Sequence, residues 1–182
     1  MTPTLVVVYN GPAGEQLYHS SERLWENPRL LRYNTKDALL RFRRTTHQFE
    51  DDIYAARMAA ALRKLQQAGV SLQVGGHGQM PGLDSHWGME LFVKGGFTPM
   101  QTLQAATIDG ARYLGLDAQL GSVERGKLAD LVILKTNPLD DIRNAREVEM
   151  VMQNGILYSG EDASRVYPGP RPAQRMYYLP ER

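Results

Sequence analysis

The chain has 182 residues, of which 42% are hydrophobic, and its formal net charge at pH 7 is +1. This length and apolar content suffice for a domain with a core and argue against wholesale disorder. The chain contains no cysteine, which excludes disulfides, thiolate metal sites and thiol nucleophiles, and its densest basic run (residues 41–44) is too short to indicate nucleic-acid binding.

The first half of the chain is predicted to form a β-α-β unit. Residues 5–9 are continuously apolar, as in a buried strand, and residues 70–74 form a second short apolar run. Between them lie a long, poorly periodic connection (residues 13–48) and a segment with helical periodicity (residues 50–68). We expect the two strands to run parallel and the helix to pack on them. The packed face of that helix is predicted to contain Ile53, Ala60, Ala61 and Leu65.

Two further helices are predicted before residue 115. One covers residues 86–94 and ends at two glycines, and the next begins at Thr98. Thr98 and Gln101 form a capping-box pattern with Pro99 at the first helical position. We expect an irregularity in this second helix near Gly110.

The remaining elements are β-strands. Residues 131–134 are predicted to form a strand, and residues 148–152 and 156–158 a hairpin closed by Asn154 and Gly155. The chain is therefore predicted to be α/β, with three parts. These are a βα segment (1–115), a small all-β segment (116–160) and a tail rich in Pro, Tyr and Arg (161–182).

Several of these segments together resemble a known family. Residues 121–130 with the strand after them, residues 96–99 with the helix they begin, and the hairpin at 148–158 resemble the C-terminal signature of the amidohydrolase superfamily. Within it, the chain looks closest to the imidazolonepropionase- and prolidase-like branch, especially members associated with TolB-like propeller domains. The resemblance implies the C-terminal part of a metal-dependent hydrolase (β/α)8 barrel plus part of a small β-sandwich. Residues 2–5 would be the seventh barrel strand and residues 70–76 the eighth.

Some of the signature residues are expected to be structural. Gly121 and Gly126 suit tight turns, and Asp130 stands just before an apolar strand, where it can accept backbone hydrogen bonds. We therefore expect Gly126, Lys127 and Asp130 to hold the β segment together rather than to perform chemistry.

The resemblance implies a divalent metal, zinc by preference, in the complete enzyme. Most of the ligands in such enzymes come from a His-x-His pair on the first barrel strand and from strands four to six. This chain has no His-x-His, and its four histidines are His19, His47, His77 and His86. We expect the chain alone to hold no metal stably and to be inactive.

The candidate site is the loop after the second predicted strand. The family's general base, an aspartate, ends the eighth strand, and His77 occupies that place by register. An alternative alignment gives the catalytic role to Asp84, so both His77 and Asp84 are candidate catalytic residues, and His77 is also a candidate metal ligand. Gly78, Gln79 and His86 are candidate substrate-binding residues, since glycines permit close backbone approach and the polar side chains supply donors and acceptors.

The expected function is hydrolysis of a cyclic amide or peptide-like C–N bond of a small-molecule or peptide-like substrate by the whole enzyme. Two alternatives stay open: one half of a split hydrolase completed by another chain, and a non-catalytic assembly module. Two barrel strands leave sheet edges unpaired, so we expect a homo-oligomer or pairing with a missing N-terminal half. No stretch of the sequence is long and apolar enough to cross a membrane, and its start lacks a signal-peptide pattern, so a cytoplasmic location is expected.

Overall fold

The computed structural model describes residues 1–7, 18–19, 21–40, 54–78 and 80–174. Within these residues the helices are α1 (Pro28–Tyr33), α2 (Lys36–Leu40), α3 (Tyr54–Gln67), α4 (Asp84–Lys94), α5 (Pro99–Ala106) and α6 (Ile108–Leu114). The strands are β1 (Leu131–Leu134), β2 (Val148–Gln153), β3 (Ile156–Ser159) and β4 (Arg165–Tyr167). Short 3-10 turns cover Leu5–Val7, Leu24–Glu26 and Ile142–Arg146. No described helix has the length and hydropathy required to span a bilayer.

The first predicted strand is wrong over Leu5–Val7, which form a 3-10 turn; residues 8 and 9 lie outside the described residues. The chain is extended before this turn instead, where the Met1 and Pro3 carbonyls accept from the Gln73 and Gly75 amides at 3.0 and 3.3 Å. The Met1 nitrogen donates to the Ser71 carbonyl at 2.9 Å, so the two segments run parallel, as expected. Pro3 has no N–H to continue this ladder, which explains why the pairing stops short of a regular strand.

The buried face of α3 is not the one predicted. Ala55, Ala59 and Leu62 are its buried residues, whereas Leu65 is 42% exposed and Ala60 and Ala61 are exposed. Ile53 lies outside the described residues. The alanines of this helix lie on two adjacent faces, so the sequence pattern is compatible with burial of either face. Packing against α4 selects the face that is buried.

Helix α4 is the centre of the main core. Trp87, Leu91 and Phe92 are fully buried on it, and they belong to one cluster with Leu5 and Val6. The long connection also enters this cluster, contributing Tyr18, Leu24 and Leu39. The connection therefore contributes to the core in the part that the structure describes, and the turn Leu5–Val7 packs in the same core against α3 and α4.

The start of α5 agrees with the predicted capping box. Thr98 Oγ1 accepts from the Gln101 amide at 3.2 Å, and the Thr98 amide donates to Gln101 Oε1 at 3.0 Å. The expected irregularity lies at Thr107, which separates α5 from α6, and Gly110 is inside α6. Thr107 Oγ1 donates to the Leu103 carbonyl at 2.6 Å, a local hydrogen bond of the kind that bends helices.

The four strands form one antiparallel sheet in the order β1-β2-β3-β4. The predicted hairpin is confirmed, and Asn154 and Gly155 have φ of 48° and 78°, as a type I′ turn requires. Strand β4 belongs to the range predicted as a tail, and it extends the sheet beyond residue 160.

The expected structural roles in the signature are also borne out for two residues. Asp130 Oδ1 accepts from the Asn154 amide at 2.6 Å and so fixes the hairpin turn against the start of β1. Lys127 Nζ donates to Ser122 Oγ at 2.5 Å across the preceding turn.

Candidate functional site

The loop between the extended segment at 70–76 and α4 carries most of the predicted site. His77 and Gly78 are exposed, and Met80 is buried and anchors the far end of the loop in the core. Gly78 and Gly82 have φ of 85° and 86°, a backbone region that favours glycine, so the loop depends on both. Gln79 lies outside the described residues.

Asp84 is the first residue of α4 and is 3% exposed. Its Oδ2 accepts from the Met80 amide at 3.2 Å, which closes the last turn of the loop onto the helix. Its Oδ1 is buried and has no hydrogen-bond partner. One carboxylate oxygen thus holds the loop, and the other is a buried acceptor without a hydrogen bond.

His86 and Glu90 lie one turn apart on α4. His86 is half-buried, and its buried Nδ1 has no hydrogen-bond partner. Burial lowers the pKa of His86, and the positive charge of Arg146 lowers it further, so the imidazole is neutral at neutral pH. Burial raises the pKa of Glu90, and Arg146 opposes this effect.

Two aromatic residues of the site area pack on each other. Tyr18 stacks on the fully buried Trp87 with ring centroids 4.9 Å apart and planes 5° apart, and its hydroxyl donates to the Trp87 carbonyl at 3.4 Å. His19 meets the edge of Trp87 at 5.2 Å. Burial lowers the pKa of His19 to about 4, although the charge of Asp84 acts in the opposite direction.

Arg146 joins this area to the β segment. From the turn Ile142–Arg146 its guanidinium donates to Glu90 of α4 and, at 2.7 Å, to Glu22 Oε1 of the long connection. It also lies over the Tyr18 ring, 5.8 Å from the centroid. Sequence reasoning missed both Arg146 and Glu22, because a single charged residue in a polar turn or loop is usually a solvated one.

The described residues do not form a metal site by themselves. His77 is in solvent, Asp84 is in the core, and no three His, Asp or Glu side chains among the described residues are placed to hold a metal ion. The structure brings Asp84, His86 and Glu90 onto one helix but leaves His77 outside any such group. The roles predicted for His77, Gly78, Asp84 and His86 remain predictions, as does the choice between His77 and Asp84.

The helices, the loop before α4 and the antiparallel sheet fit one class of protein. Residues 31–157 match the Amidohydrolase family, and the chain belongs to this family. Among solved structures, a Xaa-Pro dipeptidase with methionine bound in its active site is similar, with a TM-score of 0.55 and 26% sequence identity. The similarity covers 87% of this chain and 34% of that one.

Curated relatives match shorter stretches. An S-triazine hydrolase of Gordonia rubripertincta is 33% identical over 92 residues, covering 44% of this chain and 19% of that protein. An imidazolonepropionase of Symbiobacterium thermophilum is 54% identical over 41 residues, covering 22% of this chain and 10% of that protein. The matches therefore span about a fifth or less of these relatives, and they support the imidazolonepropionase- and prolidase-like resemblance.

Proposed function

We propose that this chain is the C-terminal portion of a metal-dependent hydrolase that acts on C–N bonds of the cyclic amide or peptide-like kind. One observation carries the proposal: a similarity that covers most of this chain covers only a third of a dipeptidase. The relatives named above also act, by their names, on a dipeptide, a triazine and an imidazolone. The chain would supply the end of the barrel and part of the sandwich, and the other ligands would come from elsewhere.

In this proposal residues 2–5 and 70–76 are the seventh and eighth barrel strands, and residues 116–160 are part of the β-sandwich. The parallel hydrogen bonds between residues 1–3 and 71–75 support the first assignment. The loop after Gly76 then lies at the C-terminal mouth of the barrel, where enzymes of this fold bind substrate. There His77 or Asp84 would take the place of the general base, and Gly78, Gln79 and His86 would contact substrate.

The metal, zinc by preference, belongs to the complete enzyme in this proposal, because the described residues do not suffice to hold it. His77 is exposed and could add one ligand to a set that other polypeptide segments complete. A chain without those segments is expected to be inactive.

The second candidate is one half of a split hydrolase. It is favoured by the exposed His77, which precedes the positive-φ Gly78 in the loop and leaves an imidazole accessible to a partner chain. A non-catalytic assembly module is the remaining alternative.

The test compares the purified chain with the chain mixed with a candidate partner that carries a His-x-His segment. We expect the chain alone to lose zinc on dialysis against a mild chelator and to leave proline dipeptides and cyclic imides intact. With its partner it should hydrolyse one of these substrates, and His77→Ala should reduce this activity. Stoichiometric zinc with hydrolysis by the chain alone would contradict the proposed inactivity. A stable complex without activity would favour the assembly module.

A further inference from the structure

Arg146 occupies an unusual place among the arginines of the β segment. Its side chain is 20% exposed, and its guanidinium bonds two carboxylates, of which Glu90 is 9% exposed and Glu22 is 31% exposed. Nearby Arg143, on the same turn, is 71% exposed and bonds Asp141, two residues earlier in the chain. One turn thus carries one arginine that joins distant segments and one that serves a local contact.

The carboxylates bound by Arg146 come from two different parts of the fold. Glu90 is on α4, which carries the candidate site residues Asp84 and His86, and Glu22 is in the long connection. Each of these ion pairs alone is an ordinary contact, but the pairs share one cation and so tie three segments at one point. Buried bidentate or bridging arginines of this kind hold geometry more than they add stability.

The same cation also fixes an aromatic contact over the site helix. Arg146 lies over one face of Tyr18, and Tyr18 stacks on Trp87. Trp87 is fully buried, and its indole N–H has no hydrogen-bond partner. Its ring is therefore held by packing and not by a hydrogen bond. The Tyr18 stack and the Glu22 ion pair are thus two contacts that hold Tyr18 and Glu22 against α4 and Arg146.

His86 experiences the charge of Arg146 directly. Burial lowers the His86 pKa, and the positive charge of Arg146 lowers it further. A neutral imidazole is the form that can accept a proton or bind a metal.

We propose that Arg146 is a positioning residue for the candidate site: bridging Glu22 and Glu90, it docks Tyr18 and Glu22 on α4 and fixes the helix face that carries His86. This role rests on the proposed function in one respect: that function makes the His86 face of α4 part of a site. The docking and the electrostatic effect are properties of this chain alone and can be measured without metal, substrate or catalysis.

The experiment measures two NMR signals in Arg146→Met and in the matched control Arg143→Met. The first is the titration of the His86 imidazole, assigned with His86→Gln. The second is the solvent exchange of the Trp87 indole N–H. In Arg146→Met we expect the His86 midpoint to move up, because a positive charge has been removed, and the indole exchange to become roughly tenfold faster or more. In Arg143→Met neither signal should change.

Two further variants separate charge from docking. Arg146→Lys keeps the charge, so the His86 midpoint should stay near its parental value. Glu22→Gln keeps Arg146 but removes one carboxylate, so indole exchange should accelerate without any upward movement of the His86 midpoint. This variant also serves if Arg146→Met does not fold.

Three results would overturn the proposal. Parental indole exchange in Glu22→Gln would show that the ion pair does not dock the segment. An equal rise of the His86 midpoint in the Lys and Met variants would show that hydration, not charge, sets it. A change of the same size in Arg143→Met would remove the special role of Arg146. None of these results bears on whether the complete protein is a hydrolase.

Discussion

Sensitivity to acid is expected to arise in part from one buried histidine, His19. It is 2% exposed, and burial lowers its pKa from 6.5 to about 4. The folded state therefore prefers the neutral imidazole more than the unfolded state does. The resulting stability is fully present above pH 6.5 and is lost progressively as the pH falls from 6.5 to about 4. The full difference corresponds to on the order of 3 kcal/mol.

Urea unfolding at several pH values between 7 and 4.5 tests this expectation. His19→Gln should lose less stability than the parent over this range, because the group that must be buried neutral is gone. His77→Gln is the control, since His77 is exposed and its replacement should leave the acid limb unchanged. Equal acid limbs in the parent and His19→Gln would show that other groups govern the loss.

Individual residues differ in how well their structural role can be predicted from the sequence. Asp130 stands before an apolar strand in a turn-rich signature, and its backbone hydrogen bond was predictable from that position alone. Arg146 has no such local pattern, because its partners Glu22 and Glu90 are distant in the chain. Local hydrogen bonds leave a signal in neighbouring residues, and long-range ion pairs do not.

Helix α3 has one buried and one exposed face, so a charge should cost different amounts on the two faces. Leu62 is 4% exposed, so Leu62→Asp would bury an unpaired charge, at a cost of several kcal/mol that approaches the whole stability of a domain. Leu65→Asp, on the exposed side, should cost less than about 1 kcal/mol. Thermal unfolding followed by circular dichroism distinguishes the two variants. Similar melting temperatures of the two variants would contradict the assignment of Leu62 to the buried face of α3.

The contact between α3 and α4 leaves no space for a side chain at Gly95. A Cβ added at Gly95, the C-cap of α4, would lie 2.3 Å from the Ala59 Cβ and 2.7 Å from its backbone carbon. Gly95→Ala should therefore destabilise the chain by about 1–3 kcal/mol through overpacking.

Gly110→Ala is the matched control for this substitution. Gly110 lies inside α6, and a methyl group added there would meet no atom of a neighbouring segment within 4 Å, so alanine should stabilise the chain by about 0.5–1 kcal/mol. Opposite shifts in melting temperature are expected. An unchanged melting temperature in Gly95→Ala would show that the two helices can separate without loss of stability.

The oligomeric state of the chain depends on which apolar edges are left exposed. Leu5 and Val6 are buried in the main core, where their turn contacts α3 and α4, so they give no argument for an open edge. The sheet does, because β1 is an end strand among the described residues and its Val132 and Ile133 are 59% and 38% exposed. An open cavity of about 770 Å³ lies against the same sheet, lined mostly by apolar residues. Unpaired apolar edges recruit other chains, so we expect an oligomer or pairing with the rest of a barrel and sandwich.

Light scattering of the purified chain measures this directly. Val132→Lys should shift the population towards monomer, because a lysine blunts the edge. Val123→Lys is the control, since Val123 is 86% exposed in a turn outside the sheet. A parent that is a monodisperse monomer at high concentration would contradict the expectation and indicate that the connection covers enough apolar surface for a monomer.

The family, the helices from α4 onward, the hairpin and the capping box could be predicted from the amino-acid sequence. Each of these is encoded by residues that are neighbours in the chain, such as Thr98 with Gln101 or Asn154 with Gly155. The buried face of α3, the 3-10 turn at Leu5–Val7 and the convergence of Glu22, Glu90 and Arg146 could not. These depend on which distant segments pack together, and burial and charge pairing act through space, without a periodic trace in the sequence.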